Sequence, residues 1–328
     1  MKGVVLAGGT GSRLLPFTRY GPKQLMPLAN KPVIQYGIEA LARAGITDIG
    51  VVLGNVGQEA IRRFLGSGSA FGVDITYIYQ GEPLGVAHAV WCTRDFISGD
   101  DFVVYLGDNF FEQGVVSFIN EFRSSNVQAT IGLIPVDDPG RFGVSELDST
   151  GHVSRVVEKP DTPPTDFALV GLYGFSPRVF HAIDRIDPSW RNEFEITDAI
   201  QTLIDDGTPV HPHVFDGWWK DIGTAEDVID ANRLALESTI RDLSGTVPPS
   251  ADITGPVVMA DDVVISGGVS IEGPVNIAQG TNVKHGAEIG PFTSIGSDCR
   301  IAKVSLENSV VLENSDICIN ETINRTLF

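Results

Sequence analysis

Hydrophobic positions change period along the chain. Up to about residue 240, short aliphatic runs alternate with segments whose apolar residues recur every three to four positions. KGVVLA, DIGVVLG, ITYIYQ, DFVVYLGD and ATIGLIPV read as strands. PVIQYGIEALARAG, GQEAIRRFLG, GVAHAVWCTRDFI and GVVSFINEFRSS read as helices between them, several closed by glycine. The alternation predicts βαβ units and an α/β, Rossmann-like, mostly parallel sheet with helices on both faces. In such sheets ligands bind beyond the carboxyl ends of the strands. GVSELDSTGHVSRVVEKP predicts a hairpin turning around Ser149-Thr150-Gly151. TAEDVIDANRLALESTIRDL predicts a helix over 224–243, with a Thr cap and acids in its first turn.

Beyond the break SGTVPPS the period becomes six. Ile253, Met259, Ile265, Ile271, Ile277, Val283, Ile289, Ile295 and Ile301 are evenly spaced. Helices and ordinary strands do not sustain that period. A left-handed parallel β-helix of hexapeptide repeats does, because each six-residue side turns one aliphatic residue inward. Coils of roughly eighteen residues give about three of them, and the looser register after Arg300 predicts a cap. The expected domains are 1–243 and 244–328.

Composition narrows the function. The chain has 328 residues, of which 42% are hydrophobic, enough for about two packed domains. Its net charge of −19 disfavours nucleic-acid binding and means that an anionic substrate needs local positive charge or a divalent cation. The acidity also fits a saline cytoplasm, and composition leaves that open. No apolar run reaches about 18 residues and no basic leader opens the chain, so no membrane partner and a cytoplasmic location are expected. Cys92, Cys299 and Cys318 are far apart and read as reduced thiols. His88, His152, His181, His211 and His213 show no ligand spacing beyond HPH, which reads as a strand edge.

The candidate chemistry starts at Gly8-Gly9-Thr10-Gly11-Ser12-Arg13. A dinucleotide fingerprint fails because Leu14 stands where its third glycine belongs, and there is no GK[ST] for a P-loop. A glycine turn after a first strand still lets phosphate approach the backbone, with Arg13 and Lys23 supplying charge. Asp108, in LGDN at a strand end, and Asp221, in WWKDIGT, are two carboxylates beside such a loop, which suits Mg²⁺. EKP adds Glu158 and Lys159. Singly, each of these is as readily a turn former, a helix cap or a surface charge; the combination carries the reading.

LAGGTGSRLLPFT, PKQLMPLANKPVI, LGDN, RFGV, EKP, VGLYGF, RNEFEITDAI and GWWKDIGT occur in this order over residues 1 to about 235. Together they resemble the sugar-1-phosphate nucleotidyltransferases, most of all the glucose-1-phosphate thymidylyltransferase branch in its longer form with a C-terminal β-helix. The resemblance implies the nucleotidyltransferase fold and transfer of a nucleotidyl group from dTTP to glucose 1-phosphate. It implies that Leu6, Gly8, Gly9 and Gly11 shape the nucleotide loop and that Gln24, Gln80 and Gly85 surround the base. Arg13 and Lys23 would neutralise the triphosphate, and Asp108 and Asp221 would bind Mg²⁺. Gly143, Glu158, Lys159, Gly171 and Arg191 would hold the sugar phosphate. Phe142 departs from the tyrosine frequent before Gly-Val, and Lys220 and Ile222 depart from the short-form pattern around Asp221.

Three other readings stand beside this one. UTP differs from dTTP at the base by one methyl, worth about ten- to a hundred-fold in a hydrophobic pocket. A second, acyl-transfer activity would need a base on the coils, where His285 is the sole histidine. A non-catalytic, regulatory subunit would be expected to lack one of Arg13, Lys23, Asp108 or Asp221, and all four are present. The β-helix itself predicts assembly into a homo-oligomer.

Overall fold

The computed structural model describes the chain except Thr10, Tyr20, Gln113, Gly114 and Asn126. Thr10 of the glycine turn and Gly114, at the head of the expected GVVSFINEFRSS helix, therefore lie outside the described residues. The chain forms two compact units, one of Met1–Leu25 with Ile34–Asp221, the other of Met26–Val33 with Ile222–Phe328. These units run differently from a single cut at 243/244.

In the first unit four strands run parallel in the order Phe102–Leu106, Lys2–Ala7, Asp48–Leu53, Asp74–Tyr79. Strands buried on both faces need unbroken apolar runs, as VVLA and FVVYL supply. Successive side chains point to opposite faces. Val4, Val52 and Val104 accordingly join one core with Phe175 and Ile200, while Val5, Val51 and Val103 join the other with Ile38 and Leu41. The parallel half ends where Phe167–Phe175 pairs antiparallel with Phe102–Leu106. Ala129–Pro135 adds to it antiparallel, and Val210–Val214 adds parallel at the edge.

The hairpin forms between Gly143–Leu147 and Val153–Glu158. Its turn falls at Ser149-Thr150-Gly151 as expected, closed by the Gly151 N–H on the Asp148 carbonyl at 3.0 Å. Asp148 Oδ1 accepts from the Thr150 N–H at 2.7 Å, the Thr150 hydroxyl at 2.6 Å and the His152 N–H at 3.1 Å, the backbone-mimicking turn that Asp favours. The expected helix GVAHAVWCTRDFI is two, Val86–Trp91 and Arg94–Ile97. Thr93, between them, turns its hydroxyl back to the Val90 carbonyl at 2.7 Å, a local bond that competes with helix continuation.

In the second unit, the helix expected over 224–243 runs only from Ala225 to Glu237. Asp242–Leu243 instead joins a parallel ladder with Val258–Met259, so pairing in the first coil overrides helical periodicity. The helix start is fixed by a capping box: the Thr224 side chain accepts the Asp227 N–H, and the Asp227 carboxylate accepts the Thr224 N–H at 2.8 Å. Thr224→Ala is expected to cost about 1 kcal/mol, read as a lower denaturation midpoint; an unchanged midpoint would mean that the box contributes nothing.

The coils stack as the six-residue period predicts. Ile253 pairs with Ile271 and Ile271 with Ile289; Met259 pairs with Ile277 and Ile277 with Ile295. From Met259 to Ile301 these inward positions are buried. After Arg300 the partners tighten: Ile289 pairs with Leu306 and Ile295 with Val311, fewer than eighteen residues on. The loop tip at Ala29-Asn30 belongs to this unit. The Ala29 N–H donates to Asn232 Oδ1 at 2.8 Å, and Asn30 Nδ2 donates to Asn276 Oδ1 at 2.9 Å and to the Ile295 carbonyl at 2.9 Å. Among the described residues no helix is long and apolar enough to cross a membrane.

Candidate active site

The glycine turn and LGDN leave neighbouring parallel strands side by side. Leu6 and Leu106 are register partners, and the Leu6 carbonyl accepts the Gly107 N–H at 2.9 Å. Gly11 sits at φ 64°, in the left-handed region. From it the chain enters a 3-10 turn over Ser12–Leu14, not an α-helix. The first α-helix among the described residues begins at Val33. The helix-terminus dipole of a phosphate loop is therefore missing from Ser12–Leu14, and positive charge must come from side chains.

Lys23 supplies it. Its ammonium forms an ion pair with Asp108, the side chains being 14% and 13% exposed. Its Cε packs on the turn, where a Cβ on Gly9 would come within 2.9 Å. Burial works to lower the Lys23 pKa. The nearby Asp108 and Asp221 carboxylates and the hydrogen bond to Asp108 outweigh it and the repulsion from exposed Arg13, so the pKa lies above the usual lysine value. Lys23, Asp108, Asp221 and Arg13 thus share one electrostatic cluster at the strand ends. Gln24, 1% exposed, leaves its Oε1 buried without a partner. Gln80 Nε2 donates to the Gly85 carbonyl at 3.0 Å. Gly85 stands at φ 108°, with the Phe194 carbonyl oxygen 2.5 Å from where a Cβ would be, so no larger residue fits this backbone approach. The Gln80 Oε1 lies beside Gly8.

A second cluster gathers the sugar-phosphate candidates. Gly143 and Glu158 are register partners across the hairpin. Glu158 lies 3.5 Å from both Lys159 Nζ and Arg191 Nη1, and accepts the Thr197 hydroxyl at 3.2 Å. Burial, then the Glu195 charge, raise its pKa above the usual carboxylate value against the pull of Lys159, Thr197 and Arg191. Arg191 also pairs with Glu193 at 3.1 Å and Glu195 at 3.3 Å. Lys159 adopts φ 40°, and its N–H is held by the Phe142 carbonyl at 3.0 Å. Tyr173 lies between the clusters: burial, then the charges of Glu158 and Asp221, push its pKa up.

Sequence reasoning assigned no role to Asn109, which joins these parts. Its Nδ2 donates to Asp108 Oδ1 at 3.1 Å. Its Oδ1 accepts the Gly171 N–H at 3.1 Å and the Trp219 indole N–H at 2.6 Å. Asn109 is also the register partner of Asp221, the last residue of the Trp219–Asp221 strand. The available signal was the amide beside a candidate metal carboxylate; both partners of its oxygen lie far along the chain. Trp219 further meets Phe142 edge-on, centroids 5.1 Å apart. His211 and His213 lie on the edge strand and both bond Glu121. His285 faces the Gly267 carbonyl at 3.1 Å. Cys92, Cys299 and Cys318 are free thiols.

A cation on a glycine turn, countered by one carboxylate after a parallel strand and another at the end of an antiparallel pair, is an arrangement that suits phosphate-transfer chemistry. Residues 2–238 match the Nucleotidyl transferase family, and the chain belongs to it. It is 53% identical over 261 residues to the low-salt glycan biosynthesis nucleotidyltransferase Agl11 of Haloferax volcanii, covering 80% of this chain and 73% of that one. It is 48% identical over 261 residues to a glucose-1-phosphate thymidylyltransferase of Streptomyces griseus, with the same coverage. Among solved structures, a putative glucose-1-phosphate thymidylyltransferase from Bacillus anthracis, in complex with a sucrose, superposes with TM-score 0.67 at 38% identity. That match covers 72% of this chain and 95% of the other.

Proposed function

We propose that this chain transfers a thymidylyl group from dTTP to glucose 1-phosphate, releasing pyrophosphate and dTDP-glucose for glycan biosynthesis. The observation that carries the reading is the Lys23–Asp108 pair on the glycine turn, with Asp221 acting on the same ammonium. The Streptomyces griseus relative named glucose-1-phosphate thymidylyltransferase supports the reaction, and Agl11, named a glycan biosynthesis nucleotidyltransferase, supports the class and the pathway.

In this reading a phosphate oxygen of the sugar attacks the α-phosphorus in line; the new P–O bond forms as the bond to the β-phosphate bridge breaks. Both reactants are polyanions, so their repulsion must be offset and their geometry fixed before attack. Lys23, kept charged by its carboxylates, and Arg13 face the triphosphate and the departing pyrophosphate. Lys159 and Arg191 face the sugar phosphate, while Glu158 accepts from sugar hydroxyls. Asp108 and Asp221 form a donor set that fits Mg²⁺, which takes one or two carboxylates and fills its remaining positions with substrate phosphate oxygens and water. No group of three or more His, Cys, Asp or Glu among the described residues would enclose a metal without substrate. When bound, Mg²⁺ would neutralise charge on the phosphates.

UTP is the second reading. The orphan acceptor Gln24 Oε1 stands near the base in either reading and does not separate thymine from uracil. We place the enzyme in the cytoplasm, as a homo-oligomer assembled through its coils. Pyrophosphate release with glucose 1-phosphate should be measured against dTTP, UTP, CTP, ATP and GTP. Release is expected with dTTP, and with UTP at a kcat/KM lower by up to about a hundred-fold. No release with any nucleotide overturns the assignment.

A further inference from the structure

The two ends of the Gln80 amide are not interchangeable. The end 3.0 Å from the Gly85 carbonyl meets a group that can only accept, so that end is the NH₂. The same nitrogen lies 3.3 Å from Nδ1 of His88. Its second hydrogen is satisfied there only if Nδ1 is an acceptor, which places the imidazole proton on Nε2. That nitrogen faces the Cys92 sulfur, a weak acceptor, at 3.9 Å. The ring lies beside two others: it is 9° from parallel with Trp91, centroids 6.4 Å apart, with Phe194 at 6.5 Å on a tilt. Burial lowers the His88 pKa, which favours the neutral ring that this arrangement requires. With its nitrogen occupied by Gly85 and His88, Gln80 turns its Oε1 toward the glycine turn, 2.7 Å from where a Cβ on Gly8 would stand.

We propose that His88 is a positioning residue for base choice. It holds the Gln80 nitrogen away from the glycine turn, so that Gln80 presents an acceptor there. An acceptor at that point selects a pyrimidine carrying an N3–H, thymine or uracil, over cytosine, whose N3 is itself an acceptor. The inference rests on the proposed nucleotidyl transfer, with the base lying against Gln80.

Binding of dTTP and dCTP, measured by calorimetry without sugar phosphate, tests it apart from turnover. Wild type is expected to prefer dTTP. His88→Leu should narrow that preference by about five- to ten-fold, the size of one neutral hydrogen bond. His88→Asn should retain it, because the Asn carbonyl can replace Nδ1 as acceptor. His88→Phe keeps a ring without an acceptor and stands in if the Leu variant does not fold. A Leu or Phe variant with wild-type preference overturns the role of His88, as does an Asn variant that loses as much as Leu. A wild type that binds neither nucleotide overturns the proposed function, and this inference with it.

Discussion

Asp108→Asn is expected to lower kcat for nucleotidyl transfer by about 10²–10³-fold, the range seen when one preorganised electrostatic contact is lost from a phosphate or acyl transfer site. The substitution is nearly isosteric. Its amide oxygen still accepts from Asn109 Nδ2, so the joint between strands survives. Lys23 keeps Asp221 within its field and is not left as an uncompensated buried charge. The loss should therefore fall on kcat, with a raised Mg²⁺ requirement, more than on the denaturation midpoint. Wild-type kcat with an unchanged Mg²⁺ dependence would remove Asp108 from the chemistry.

Asn109→Ala should damage both stability and rate. It strands the buried Gly171 N–H and the half-buried Trp219 indole N–H, and a buried donor without a partner costs about 1–3 kcal/mol. A stability loss of about 2–5 kcal/mol is expected by chemical denaturation. Asn109→Asp separates the two roles. It keeps an acceptor for both donors but replaces the amide that bonds Asp108 with a second carboxylate. That variant should lose kcat, and its midpoint should fall as pH rises and the two carboxylates in contact both ionise. An Ala variant as stable as wild type would mean that the three elements are held together without Asn109.

Much of the fold was legible because its determinants are local and repetitive. The VVLA and FVVYL runs declared strands buried on both faces. The period of six declared coils, since an inward aliphatic recurs on every side regardless of what it packs against. What escaped depends on distant partners. Residues 238–243 carry helical periodicity, yet Asp242–Leu243 pairs with Val258–Met259, a choice made by the ladder. The clusters around Lys23 and Glu158 draw on residues quoted from the motifs, but the motifs do not show that Arg191 reaches Glu158, 3.5 Å away on another segment. Nor do they show that Asn109 links Asp108 to Gly171 and Trp219. The Asn109 bonds to Gly171 and Trp219 span sixty to more than a hundred residues, and no periodicity records them. The absence of an α-helix directly after the glycine turn was hinted at by Pro16 and Pro22, and in the proposed reaction it would shift the weight of anion binding onto Lys23 and Arg13.

The chain passes between its two compact units at 25/26, 33/34 and 221/222. Lys23 and Gln24 stand just before the first crossing, and Asp221 is the last residue before the third. Neither unit is therefore a continuous stretch of gene. A fragment ending at residue 243 would keep Ala29 and Asn30 but lose Asn276 and Ile295, to which they bond. A cut at 243 would therefore divide the second unit, because part of its packing is encoded between Lys23 and the helix that starts at Val33.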